Sequence, residues 1–530
     1  MIRRFTPALL LAAASLSAQT PVRLYTDLGK HHKEIGTKVP EAQKYFDQGL
    51  RLVYGFNHAE AIRSFTRAAE LDPNCAICWW GIAYAYGPHV NAGMDSASGV
   101  KAYEAARKAV SLDRNAPAWQ RAYIEAVAAR YAAVPPANRA SLDSAYSNAM
   151  RAVAKKYPND LDATTLAAES MMDLRPWNYW TPEGKPYPGS DEIVRLLESV
   201  IARNPEHPGA CHFYIHAVEA VNPQLAVPCA ERLARLMPGE GHMVHMPAHI
   251  YVRVGRYKDA AMSNVHAIHM DETFIEGQPQ PTVYSLAYYP HNIHFLAFVS
   301  SMAGKSAQAI EAAKTLKSKV NLDVAKNVGM LQEMVPYYVL TLTTFGRWDD
   351  VLNEPLPPAD MRFPTAMARY ARGVAYAAKG DFANARVELD SVTAIDAATP
   401  ADADPKAAIS IAAHALMGEI ATRSGKADEG VAHFRQALAI EDKGLYFEPP
   451  KWYYPIRQSL GAALLKAGRN AEAEQVYRDD LKRFPENGWS LYGLSVALKA
   501  QGKAQEAAAV EKRFARAWTD ADVKLTASRF

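Results

Sequence analysis

The sequence predicts an all-α fold, a single long solenoid of stacked helical hairpins. Three observations predict it. Apolar residues recur at helical spacing through almost the whole chain, and strand-like alternation is nearly absent. Glycines and Asp-Pro or Asn-Pro steps interrupt the pattern about every 30–45 residues, the period of a repeat array. With 530 residues, 49% apolar and 22% charged, the chain can bury a large core. The net charge of +3 is small for this length, and no basic block interleaves with aromatics, so no nucleic-acid partner is expected.

Residues 1–18 read as a secretory signal. Arg3 and Arg4 precede an apolar run from Pro7 to Leu16, and Ser17, Ala18 and Gln19 offer a small-residue cleavage site. The run is too short to span a bilayer. No later segment reaches the ~18 uninterrupted apolar residues of a spanning helix, so a periplasmic or secreted protein with no membrane span is expected. Residues 19–40 form a lead-in. The solenoid is expected over 41–530, in about twelve units that begin near 41, 74, 115, 161, 210, 242, 286, 325, 365, 406, 450 and 489. Four connections exceed what a repeat turn needs: PHVNAGMDSAS after Gly87, RPWNYWTPEGKPYPGSDE after Leu174, IEGQPQPTVYSLAYYP after Phe274 and GLYFEPPKWYYP after Lys443. Pro and Gly break helices there, while Trp and Tyr give the loops something to bury. They are either loops packed on the repeat surface or lids over a site. Of the four cysteines, Cys75 and Cys78 suit a structural pair, and Cys211 with Cys229 can staple two antiparallel helices of one hairpin.

The segment YFDQGLRLVYGFNHAEAIRSFTRAAELDP carries Tyr45, Gly49, Ala61, Phe65, Ala68 and Pro73. These resemble the tetratricopeptide signature of a large residue, a small residue, A-x3-F and then Pro. In RQSLGAALLKAGRNAEAEQVYRDDLKRFP, Gly461, Ala473, Tyr477 and Pro485 fall at the offsets of Gly49, Ala61, Phe65 and Pro73, and Leu460 and Gly468 take further signature positions. The chain is thus similar to tetratricopeptide-repeat proteins over nearly all its mature length. The resemblance implies a right-handed superhelix whose concave groove is lined by the first helix of each pair, commonly a surface for peptides or partner proteins.

Ten of the sixteen histidines lie between His207 and His294. Seven come in sets three or four apart: His212 and His216; His242, His245 and His249; His291 and His294. Such spacing puts imidazoles on one helix face, and imidazole is the commonest protein ligand for zinc, copper and iron. The repeat frame can be set without using histidine. With Gly255 at the fifteenth position of the unit, Ala248, Tyr251 and Ala260 take signature positions, and His242, His245 and His249 fall at the second, fifth and ninth. The resemblance implies that these positions face the groove. The same frame puts His291 and His294 at the second and fifth, and His212 and His216 near the fifth and ninth. Glu219 shares a face with His216 and can be a ligand, an acceptor that fixes an imidazole, or a general base and so the candidate catalytic residue. Met243 and Met246 fall off that face and are expected in the core. His266 and His269 should face solvent or the next layer, and His31, His32 and His58 the surface. His89 lies in the first long loop.

Aromatics with an arginine suit a small organic anion, by stacking and a bidentate fork. Trp177 and Trp180 in the second long loop, and Trp452, Tyr454 and Arg457 at the eleventh unit, are the candidates for substrate binding. The expected function is that of an exported metalloprotein holding one or two transition-metal ions (zinc, copper or iron) in its groove, with metal-dependent chemistry on a small organic substrate. The alternatives are a non-catalytic scaffold for peptides or partner proteins, and metal storage or delivery.

Overall fold

The computed structural model describes residues 21–278 and 281–530; the signal-like segment lies outside them. Among the described residues no strand forms, only isolated bridges at His89–Ala92 and Trp180–Pro186. No described helix is long and apolar enough to cross a membrane. Twelve helical hairpins follow one another, their first helices beginning at Pro40, Ala76, Ala118, Leu161, Pro208, Gly241, Tyr289, Leu322, Arg362, Lys406, Ile456 and Gly488. The first helix is interrupted in two hairpins. In the sixth, Gly241–His245 and Pro247–Arg253 are separate pieces, because Pro247 lacks the N–H that would continue the ladder. In the eighth, three pieces lie between Leu322 and Thr344.

The signature residues pack as the repeat requires. Phe65, on the second helix of the first hairpin, is fully buried between Gly49 of its own hairpin and Gly81 of the next. A Cβ at Gly49 would lie 2.7 Å from the Phe65 ring, and one at Gly81 2.5 Å from it. Tyr477 lies in the same way between Gly461 and Gly493. Small residues at the crossing let the helices close on one ring, and each hairpin buries a face that it cannot bury alone. The repeat is of tetratricopeptide type.

The coil closes on itself. The first hairpin (Pro40–Tyr54 and His58–Leu71) reaches the fifth (Pro208–Val218 and Val227–Leu236) and the sixth. Tyr54 packs on Gly209, Gly55 on Glu240, and the Gly239 N–H donates to Asp27 O at 2.9 Å. The sixth and seventh hairpins in turn meet the eleventh and twelfth: Arg253 Nη1 donates to Arg483 O at 2.8 Å and Trp489 Nε1 to Ser301 O at 3.0 Å. The C-terminal segment folds back over the last hairpins. There the Arg529 guanidinium lies 3.6 Å from the centre of the Tyr454 ring, and Ser528 Oγ donates to Gln458 O. Cys75 and Cys78 form a disulfide, while Cys211 and Cys229 are buried thiols with their sulfurs 2.8 Å apart.

Replacing Gly81 with Ala adds a methyl against an immovable ring. Overpacking costs about 1–3 kcal/mol, while the better helix former returns ~1 kcal/mol. Urea unfolding should show a net loss on the order of 1 kcal/mol, and that loss should vanish in a Phe65→Ala background. An equal loss in both backgrounds would refute the packing account.

Candidate metal centre

The histidine helices of the fifth, sixth and seventh hairpins face one interior. There the imidazoles form two triads: His212, His216 and His242, and His245, His249 and His291. The ligand nitrogens within each triad lie within 4.8 Å of one another. The triads adjoin, with ring centroids of His216 and His249 5.8 Å apart and of His242 and His245 5.9 Å apart.

The second nitrogen of each ring is where the sequence and the fold specify chemistry. His212 Nδ1 donates to Tyr54 O at 2.6 Å, a carbonyl of the first hairpin. His245 Nδ1 lies 2.7 Å from Asn264 Oδ1; the Asn264 amide donates to Ala260 O, so its oxygen is left as the acceptor. His216 Nδ1 and His249 Nδ1 lie 3.0 and 2.7 Å from the two oxygens of Glu219. All four Nδ1 atoms therefore carry a ring proton, and in a neutral ring the Nε2 atom exposes its lone pair. Those lone pairs face each other: Nε2 of His212 and His216 are 3.2 Å apart, of His245 and His249 2.8 Å, and of His245 and His291 3.2 Å. Both ring nitrogens of His242 are buried without a partner. Two ligands at Zn–N distances of 2.0–2.1 Å on a tetrahedral ion would be about 3.3 Å apart, close to these spacings. Burial, with the neighbouring imidazoles, holds His212, His242, His245 and His291 well below the usual imidazole pKa, which favours the neutral, ligating form. Burial alone would raise Glu219, but His249 and His216 hold its carboxylate down at about 2.

Glu219 has both oxygens engaged by imidazoles, and Arg253 Nε donates to its backbone carbonyl at 3.3 Å. Both oxygens are thus placed to orient the His216 and His249 rings. His294 does not join His291. Three residues on, its ring packs 4.1 Å from that of Tyr337, and burial lowers its pKa to about 3. Trp177 does reach the centre, with its ring 4.9 Å from His216. Trp180 instead donates to Ala217 O at 2.7 Å and anchors the loop. Trp452 packs on Tyr370, Tyr454 on Arg529, and Arg457 is held by both oxygens of Asp442 at 2.8 Å. None of the three lines the centre: Arg529 and Asp442 occupy Tyr454 and Arg457, and Trp452 instead lines a small cavity with His294 and Tyr337.

All four long connections bear on the site. His89 of the first stacks on Phe56 at 4.4 Å, and Trp177 of the second meets His216. Tyr288 of the third, in a π-helical turn from Tyr284, lies 4.7 Å from His242. Tyr446 of the fourth lies under the Arg253 guanidinium. Phe56 was not anticipated. Its ring centroid is 4.6 Å from that of His212, 5.6 Å from His242 and 6.0 Å from His216. It holds φ at 58° where the equivalent hairpin turns carry Gly255, Gly304, Gly346, Gly380, Gly425, Gly468 and Gly502. An aromatic replacing the turn glycine in YGFN was a readable signal for it.

Two other histidine assignments change. His31 Nε2 is bonded to Asp162 Oδ1 at 2.8 Å, beside His207 and Lys33. His207 Nδ1 accepts the Ala210 N–H, so its Nε2 carries the proton toward Asp162. The ligand atoms of His31, Asp162 and His207 lie within 4.8 Å of one another, and the Lys33 ammonium pairs with Asp160 at 2.8 Å and Asp162 at 3.4 Å beside them. His58 is partly buried, donating to Ala85 O with its ring 4.3 Å from His89. His266 and His269 are exposed, and Met243 and Met246 lie in the core.

No family profile and no curated protein sequence matches the chain. Solved structures similar in fold include the human IFIT1 dimer with m7Gppp-AAAA, at 13% identity over 92% of each chain and a TM-score of 0.34. Yeast Tom70 aligns at 12% identity over 91% of this chain and 92% of its own, with a TM-score of 0.30. The TPR domain of P58(IPK) aligns at 11% identity over 88% and 99%, with a TM-score of 0.21.

At a positive φ, glycine avoids the ~1–2 kcal/mol penalty that a Cβ incurs. Truncating Phe56 should therefore invert the usual order within helical hairpins. Phe56→Gly should unfold at higher urea than Phe56→Ala, both below wild type because a buried ring is lost. The opposite order would mean that the turn relaxes once the ring is gone.

Proposed function

We propose that the chain is an exported tetratricopeptide-type metalloprotein. It holds two transition-metal ions, one on the Nε2 atoms of His212, His216 and His242, the other on those of His245, His249 and His291. The observation that carries this reading is the facing pair of Nε2 lone pairs on His245 and His249, 2.8 Å apart, with each Nδ1 proton already committed to Glu219 or Asn264. Two buried acceptors at that distance repel unless a cation lies between them. A proton shared between the two rings is the other candidate cation, and elemental analysis distinguishes it from a metal ion. The all-imidazole donor set suits zinc, copper or iron.

Bound there, such ions supply Lewis acidity and, for copper or iron, redox chemistry for a small substrate. The chain's own part is to orient and to exclude. Tyr54 O, Asn264 and Glu219 fix four ring tautomers; such outer partners are worth 10–100-fold in metal affinity. Phe56, Trp177 and Tyr288 keep water from the first triad. A scaffold for peptides has less groove to offer than the repeat count suggests, since Ser528 and Arg529 are buried against the last hairpins.

Protein purified without a histidine tag should contain close to two metal equivalents by elemental analysis. At 100 times its Kd, an ion that binds only the native state adds ~2.7 kcal/mol, so chelation should lower the melting temperature. His245→Ala with His249→Ala should halve the metal content. Glu219→Gln should weaken binding about 10–100-fold, because an amide cannot accept from both Nδ1–H groups. Metal-free wild-type protein that melts identically with and without chelator would sink the reading.

A further inference from the structure

The two triads differ in what surrounds them. Around the first, His212, His216 and His242 are at most 3% exposed, and three aromatic rings cover them. Phe56 lies across all three imidazoles, Trp177 meets His216, and Tyr288 meets His242. His89 backs Phe56 from behind. Around the second, His245 and His249 are buried on Phe295, whose ring lies 5.0 and 5.1 Å from theirs. His291, however, is the one member of the six that is not fully buried.

A buried carboxyl group also bears on the second triad through the charge of His249. Glu448, on the fourth long connection, is 7% exposed, and the groups whose charge bears on it include Arg253, His249 and Glu219. Its Oε1 accepts from Tyr446 Oη at 2.6 Å, while Oε2 is buried with no partner. A buried carboxylate oxygen is seldom left unpaired, and a small ligand or water beside the second triad would satisfy it.

We infer that the triads have different roles. The ion on His245, His249 and His291 keeps a position open to a small donor ligand of two or three atoms, an anion or a neutral molecule, that enters past His291. The ion on His212, His216 and His242 is closed to such ligands. This rests on the metal reading above and divides its site into a reactive and a closed half. A catalytic metal keeps an open coordination position and a structural one does not. Phe295 under His245 and His249, both buried, favours a small ligand over a bulky one.

The test uses the full chain loaded with cobalt(II), whose visible absorption reports coordination, and azide as the small anion. Wild-type protein should take up two cobalt ions and respond to one azide per two cobalt. His291→Ala should remove that response while the first triad keeps its cobalt. Phe56→Ala, which uncovers the first triad, should raise the stoichiometry to two azides. Two azides in wild type, none, or a response indifferent to His291 would each overturn the inference while leaving the metal reading intact. Failure to bind cobalt at all would instead count against the metal reading. The wild-type stoichiometry decides the matter even if a variant does not fold.

Discussion

The centre depends on one contact, that of Tyr54, Gly55 and Phe56 against the fifth and sixth hairpins. Tyr54 gives its carbonyl to His212, its hydroxyl to Asp162 at 2.7 Å and its ring to Gly209. Gly55 admits the Glu240 side chain where a Cβ would lie 2.7 Å from it. Phe56 then spreads over the first triad. Without this contact the histidine helices would line an open groove, as in an ordinary repeat array. With it, they line an enclosed interior in which burial lowers the pKa of His212, His242, His245 and His291.

Such an interior is costly for polar groups unless each is paired. Glu219 shows how the chain manages this. One carboxylate takes a proton donor from each triad, so a single side chain fixes two rings and spans both halves of the site. Its low pKa and its engaged oxygens make it an orienting group, whereas Glu448, with one oxygen free, is the carboxylate suited to meet a ligand. The aromatic rings add apolar bulk without competing for hydrogen bonds.

Much of the fold was legible. Hairpin starts at 161 and 406 coincide with helix starts at Leu161 and Lys406, because the Asp-Leu-Asp and Asp-Pro-Lys steps mark helix beginnings locally. The repeat frame also placed six histidines in one interior, since the turn glycines set the frame and the resemblance to tetratricopeptide repeats implies which positions face the groove. It failed for His294 because residues three apart diverge by about 60° around a helix, enough for Tyr337 to capture its ring. The choice of Trp452, Tyr454 and Arg457 for the site failed because Tyr370, Arg529 and Asp442 occupy them, contacts between residues distant in sequence. The coverage by Phe56 depends on residues more than 150 positions away, so only its odd place in a glycine turn betrayed it.

Solenoids usually vary freely in length, because each unit contacts only its neighbours and another can be added without disturbing the rest. The closure at Tyr54 removes that freedom here. Deleting or duplicating one hairpin between the first and the fifth would move Tyr54 out of phase with His212 and uncover the first triad. The region up to the sixth hairpin is thereby bound to a fixed unit number, more like a ring than a ladder. The contacts of the sixth and seventh hairpins with the eleventh and twelfth bind the later units in the same way.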